Sequence, residues 1–212
     1  FSPAQLAASP SAAPASPSPA PSTSATPSER VVTLGDSVMS GFGLSAREAW
    51  PRLLAERTHL SLVNLACPGM GFVVQGDCGT PYAGLVPAVA ALQPDLVIVQ
   101  SSSNDFWQDP DEIRFETADT VERVHEAAPD ALIVALSTIW NDDPEVPDDT
   151  AVTSDALRDA VEAVGGTYID IGQPLVGHPE WLQSADVHPP AAGQAAIEEA
   201  VASALQDAAV LP

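Results

Sequence analysis

The chain has 212 residues, of which 29 are acidic and seven basic, and all seven basic residues are arginine. The formal net charge of -22 repels nucleic acid and anionic lipid, which excludes both as partners. Hydrophobic residues make up 45% of the chain, enough for one well-buried core. No apolar run approaches the ~18–20 residues that span a bilayer, so this segment makes no membrane insertion.

Residues 1–29 are almost wholly Pro, Ala, Ser and Thr. They have too little to bury to offset their ordering entropy, and repeated Pro favours extended segments. The stretch reads as a disordered linker, with a single domain over 30–212. The first residue is Phe1 rather than Met. The expectation is therefore a mature or excised piece of a secreted or cell-surface protein, preceded by a signal peptide or tethered to an upstream membrane domain.

From Arg30 the pattern alternates between strand and helix. Strands are expected at Val31–Leu34, Leu60–Leu65, Asp95–Gln100, Ala131–Ser137 and Thr167–Ile171. Helices are expected at Ala49–Thr58, at Tyr82–Leu92 with a kink at Pro87, and at Asp111–Ala128, Thr153–Val164 and Ala191–Leu205. A helix also follows Gly35-Asp36-Ser37 after a short glycine-containing segment. The continuous apolar run of DLVIVQ suits a strand covered on both faces. This alternation predicts an α/β fold, a flavodoxin-like three-layer α/β/α sandwich around a five-stranded parallel sheet.

Cys67 and Cys78 are the only cysteines. With an exported chain the expectation is a disulfide, and two unpaired thiols are the alternative. Such a bridge would stiffen 68–77, which includes Gly69 and Gly71. Neither a redox motif nor a zinc ligand set is present.

The chemistry centres on Val31–Ser40 (VVTLGDSVMS). A buried strand running into Gly35-Asp36-Ser37 would put the Ser37 hydroxyl at the carboxyl edge of the sheet, where open α/β sheets hold their ligands. Gly-Asp-Ser is also an ordinary turn sequence. Two further strand ends argue against that plainer reading. Asn64 to Gly69 follows the second strand, and Gly69 can turn a backbone N–H towards a ligand. Ser103-Asn104-Asp105 follows the third strand, where the Asn104 amide can donate. Strand ends in a parallel sheet lie side by side, so Ser37, Gly69 and Asn104 would converge. Of four histidines, His59, His125 and His178 read as surface or capping residues, whereas His188 sits in a loop (SADVHPP) just before the last helix.

The blocks LGDSV, NLACPG, SSND and DVHP, in that order, resemble the SGNH hydrolase superfamily of GDSL-type esterases and lipases, across nearly all of Arg30 to Leu205. AWPRLL and PEWLQ resemble its thioesterase/lysophospholipase-like branch. The resemblance implies Ser37 as nucleophile and His188 as general base, with the Ser37 and Gly69 N–H groups and the Asn104 side chain as oxyanion hole. It calls for no metal or organic cofactor. Two positions depart from the family pattern. Ser102 stands at a usual Gly, with the expectation of a narrowed pocket. Ala185 stands at the usual acid, three residues before His188. Asp186 reaching the imidazole through an altered turn, a backbone carbonyl in a Ser-His dyad, and an inactivating change at Ala185 all stay open.

Trp107 and Trp140 are expected to line an acyl or sugar pocket, and Trp50 and Trp181 to pack in the core. The acidic stretch Asn141 to Asp149 reads as a solvated loop, with a weak cation site as the alternative. The expected function is a serine esterase on small acyl esters, O-acetyl groups of cell-wall or surface polysaccharide foremost. The alternatives are an O-acyltransferase to a glycan hydroxyl and a catalytically degenerate binding module.

Overall fold

The computed structural model describes residues 29–183 and 188–211. The residues read as a linker, Glu29 apart, lie outside the described residues, as does Asp186. Five strands form one parallel sheet: β1 (Arg30–Leu34), β2 (Ser61–Asn64), β3 (Leu96–Gln100), β4 (Leu132–Leu136) and β5 (Thr167–Ile169). Their spatial order is β2-β1-β3-β4-β5. The chain therefore reverses direction across the sheet between β1 and β3. That is the switch point at which doubly wound sheets leave a crevice.

Helices α1 (Ser37–Ser40), α2 (Trp50–Thr58), α3 (Val86–Leu92), α4 (Pro110–Ala127), α5 (Asp149–Ala163) and α6 (Ala191–Asp207) cover both faces. Side chains of a strand alternate between faces, and the core divides accordingly. Val32, Leu34, Val97, Val99, Ile133 and Ala135 pack with Val89 of α3, Val121 and Val124 of α4, and Leu157 of α5. Val31, Ile98, Val134 and Leu136 pack with Met39 of α1, Trp50 and Leu54 of α2, and Ile197 and Val201 of α6. Every residue of β3 is buried, as its unbroken apolar run requires. Each such Val, Leu or Ile contributes about 1.5–3 kcal/mol of transfer free energy.

Several element ends differ from the sequence reading, each for a local reason. Tyr82 to Leu92 is not one kinked helix. A 3₁₀ turn (Tyr82–Leu85) hands over to α3, and Pro87 falls in the first turn of α3, where its missing N–H goes unneeded. Helix α4 starts one residue early because Asp109 caps the Asp111 and Glu112 N–H groups and Pro110 occupies the first turn. Helix α5 begins at Asp149, four residues before the expected start. Its Thr150, Thr153 and Ser154 have low helix propensity, but all three are buried. No glycine-containing segment separates Ser37 from its helix. Asp36 is the cap and Ser37 the first helical residue of α1, which Gly41 ends in the left-handed conformation.

Candidate active site

Ser37, Gly69, Asn104 and His188 line one cleft of about 260 Å³, together with Phe42, Pro68 and Asp77. They come from four separate segments: the end of β1, the loop after β2, the 3₁₀ turn after β3 (Ser103–Asp105), and the approach to α6. The three strand-end residues and the histidine singled out from the sequence thus meet in space.

Ser37 owes its place to Asp36. The Asp36 carboxylate accepts the Val38 N–H at 2.9 Å through Oδ1, fixing the start of α1. Its other oxygen, Oδ2, accepts the Ser102 hydroxyl at 2.6 Å. Ser102 is fully buried and turned away from the cleft, so it does not narrow the pocket as the sequence suggested. The reason is electrostatic: a carboxylate buried behind Ser37 needs donors, and the Ser102 hydroxyl is one. Burial nevertheless pushes the Asp36 carboxyl above its ordinary value, against the lowering effect of the Ser102 hydroxyl, the Val38 N–H and His188.

Asn104 is held at both ends. Its backbone N–H donates to Ser102 Oγ at 3.0 Å and its side-chain amide donates to the Met70 carbonyl at 3.0 Å. An amide nitrogen carries two protons, so the second can serve the cleft. The neighbouring Asp105 performs a structural task. Its buried carboxylate accepts the N–H groups of Phe72 at 2.6 Å and of Val73 and Val74, both at 3.1 Å. At Gly71 a Cβ would run into that carboxylate. Burial raises the Asp105 pKa despite the three donors.

Gly69 adopts φ +74°, in the left-handed region, with room for a Cβ. Conformation rather than space therefore calls for glycine here. Its loop is closed by the Cys67–Cys78 disulfide and by the Asp77 N–H donating to the Pro68 carbonyl at 2.9 Å.

The Phe42 and His188 rings, which also line the cleft, lie 4.5 Å apart between centroids. Gln183 secures this pairing. Its backbone N–H donates to the His188 carbonyl at 2.8 Å, and its amide donates to the Phe42 and Pro189 carbonyls at 2.9 and 3.0 Å. Sequence reasoning missed Gln183, Phe42, Asp36 and Asp77. The only signals were that Asp36 adjoins Ser37 and that Gln183 ends the PEWLQ block. The other histidines stand as expected: His59 caps α2, His125 ends α4, and His178 stacks on Trp181 at 3.7 Å.

The profile of the GDSL-like Lipase/Acylhydrolase family matches residues 33–196. The chain belongs to this family. A GDSL lipase of Mycobacterium tuberculosis, Rv0518, is 27% identical over 189 residues, covering 81% of this chain and 79% of that protein. Among solved structures, the salicylyl-acyltransferase SsfX3 of a tetracycline biosynthetic pathway superposes with a TM-score of 0.71 at 20% identity, covering 88% of this chain. A family two carbohydrate esterase from Cellvibrio japonicus superposes with a TM-score of 0.67 at 20% identity, covering 86%. The chain spans 56% and 62% of the lengths of those two proteins. TesA, 99% covered, matches with a TM-score of 0.67 at 20% identity over 84% of this chain. The GDSL-like fold is thus the SGNH hydrolase fold, the α/β architecture expected from the sequence.

Proposed function

We propose that this protein is a secreted or cell-surface serine esterase that removes small acyl groups, O-acetyl foremost, from cell-wall or surface polysaccharide. The observation that carries the reading is the convergence of Ser37, Gly69, Asn104 and His188 on one cleft. The Ser37 hydroxyl attacks the acyl carbon while His188 takes its proton, and His188 then protonates the departing alcohol. The oxyanion accepts from the Ser37 N–H, the Gly69 N–H and the second proton of the Asn104 amide. Because Asn104 is already anchored on Met70 and Ser102, that donor needs no reorganisation as charge develops. Water repeats the sequence on the acyl-enzyme, and a sugar hydroxyl in its place would give acyl transfer. The disulfide supports an oxidising compartment.

The test is turnover of p-nitrophenyl acetate together with labelling by a fluorophosphonate. Both are expected in the protein and absent in Ser37→Ala. A folded protein that neither turns over nor labels is a binding module, and the esterase reading is then abandoned. Glycan acetylation in competition with water separates hydrolase from transferase. A fall of about 10⁴ in kcat for Asp186→Ala assigns that carboxylate to the His188 imidazole; no fall assigns a backbone carbonyl.

A further inference from the structure

A second cleft, of about 440 Å³, is larger than the one around Ser37. Ser137 and Thr138, just past β4, and Asp170, just past β5, line it, so it opens on the same carboxyl edge of the sheet. Across the sheet, β1 and β4 are two strand spacings apart, roughly 10 Å. A short oligosaccharide spans that distance and a single sugar ring does not.

The lining mixes apolar surface (Val146, Pro147, Ala151) with charged and hydroxyl side chains. Arg158 donates to Asp155 at 2.9 Å, and its guanidinium lies 6.0 Å from the centroid of the Tyr168 ring. The hydroxyl of Thr150, also in the wall, is buried and has no hydrogen-bond partner among the described residues. Carboxylates, a planar guanidinium and hydroxyls are the groups that pair with the vicinal hydroxyls of a sugar. Asp148, Asp155 and Asp170 outnumber Arg158, which disfavours phosphate, sulfate and uronate.

Trp107 is linked to both clefts through its backbone. It is 79% exposed and adopts φ +63°, uncommon for a bulky residue. Its backbone N–H donates to Asp149 Oδ1 at 3.0 Å, at the start of α5 and between two wall residues, Asp148 and Thr150. Three residues before it is Asn104 of the first cleft. Buried Phe106 stands edge-on to the indole at 5.9 Å. The backbone is thus held in a costly conformation that presents a large aromatic surface to water.

We propose that the second cleft and Trp107 form a subsite for uncharged saccharide. It holds the unreacted part of the glycan whose ester group lies at Ser37, and the sugar ring stacks its C–H face on the indole. The inference rests on the esterase reading for the direction in which the glycan runs.

The test titrates the Ser37→Ala protein with hexasaccharides of glucose, xylose, mannose and N-acetylglucosamine, followed by NMR amide shifts. At least one is expected to bind, with shifts at Trp107, Tyr168 and Asp170. Trp107→Gly, which suits the left-handed backbone, and Arg158→Gln should each weaken that binding by about tenfold or more. Thermal unfolding checks that both variants remain folded. The proposal is overturned if none of the four saccharides binds, or if binding is unchanged in both variants. Saccharide binding by a protein without Ser37-dependent turnover keeps the subsite and removes the esterase; turnover without saccharide binding does the reverse.

Discussion

Ser102 Oγ donates to Asp36 Oδ2 across 2.6 Å, with both side chains buried. The same hydroxyl accepts the backbone N–H of Asn104. Asp36, which caps the helix of Ser37, and Asn104 therefore share one anchor.

That anchor makes stability depend on pH. Burial raises the folded pKa of Asp36 and of Asp105 above the ordinary 3.8. A group shifted upward gives its full contribution below its unfolded pKa and loses it as pH rises through the folded value. Urea unfolding midpoints should therefore fall as pH is raised from about 4 until both groups ionise. Asp95, held at about 2 by Arg30, acts in the opposite sense and loses its contribution as pH falls below 3.8 towards 2. Asp36→Asn should flatten the fall above pH 4. Ser102→Ala removes a bond that lowers the Asp36 pKa, and should extend the fall to higher pH. Midpoints that ignore pH above 4 would refute the assignment.

Asn104→Ala deletes the amide donor and its bond to the Met70 carbonyl, which the Ser102 hydroxyl still reaches at 3.1 Å. On the proposed mechanism kcat for p-nitrophenyl acetate drops by about 10²–10³ while KM changes little. An equal rise in KM with kcat unmoved would place Asn104 in ground-state binding instead.

Replacing Cys67 and Cys78 together by serine removes the bridge that closes the Gly69 loop. The expected stability loss is about 3 kcal/mol or less, read from denaturant midpoints. Activity should fall even where the variant is fully folded, because Gly69 and its N–H lie inside the loosened segment. Full activity in the folded variant would show that the loop holds its shape through the Asp77–Pro68 bond and the Asp105 clamp alone.

Gln183→Ala keeps the backbone bond to His188 but deletes the amide's bonds to Phe42 and Pro189. A stability loss of about 1 kcal/mol is expected. The fall in kcat should be larger than that loss explains, since the imidazole's place against Phe42 is what the amide fixes. Unaltered kcat would show that Gln183 merely stabilises.

The sequence was most informative where chemistry and topology coincide. Ser37, Gly69 and Asn104 each follow a strand, and parallel strands bring such ends together, so their convergence could be read without coordinates. The direction of a side chain could not. Ser102 was expected in the pocket, yet it turns inward to Asp36, because the need of a buried carboxylate is a property of the packed core. Trp50 was legible as core and is fully buried. The exposure of Trp107 was not legible, since nothing local announces its left-handed backbone. The early start of α5 was hidden for a similar reason: burial of its threonine face outweighs the poor helix propensity of those residues.

Gln194 on α6 is fully buried, accepts the Trp50 backbone N–H at 2.8 Å and donates to the Val38 carbonyl at 2.8 Å. One amide thus rivets the last helix to the segment carrying Ser37, its Val38 partner lying 156 positions earlier in the chain. His188 arrives six residues before that rivet. A polypeptide still emerging from synthesis therefore holds Ser37 long before it holds His188, and the docking of the final helix completes the cleft.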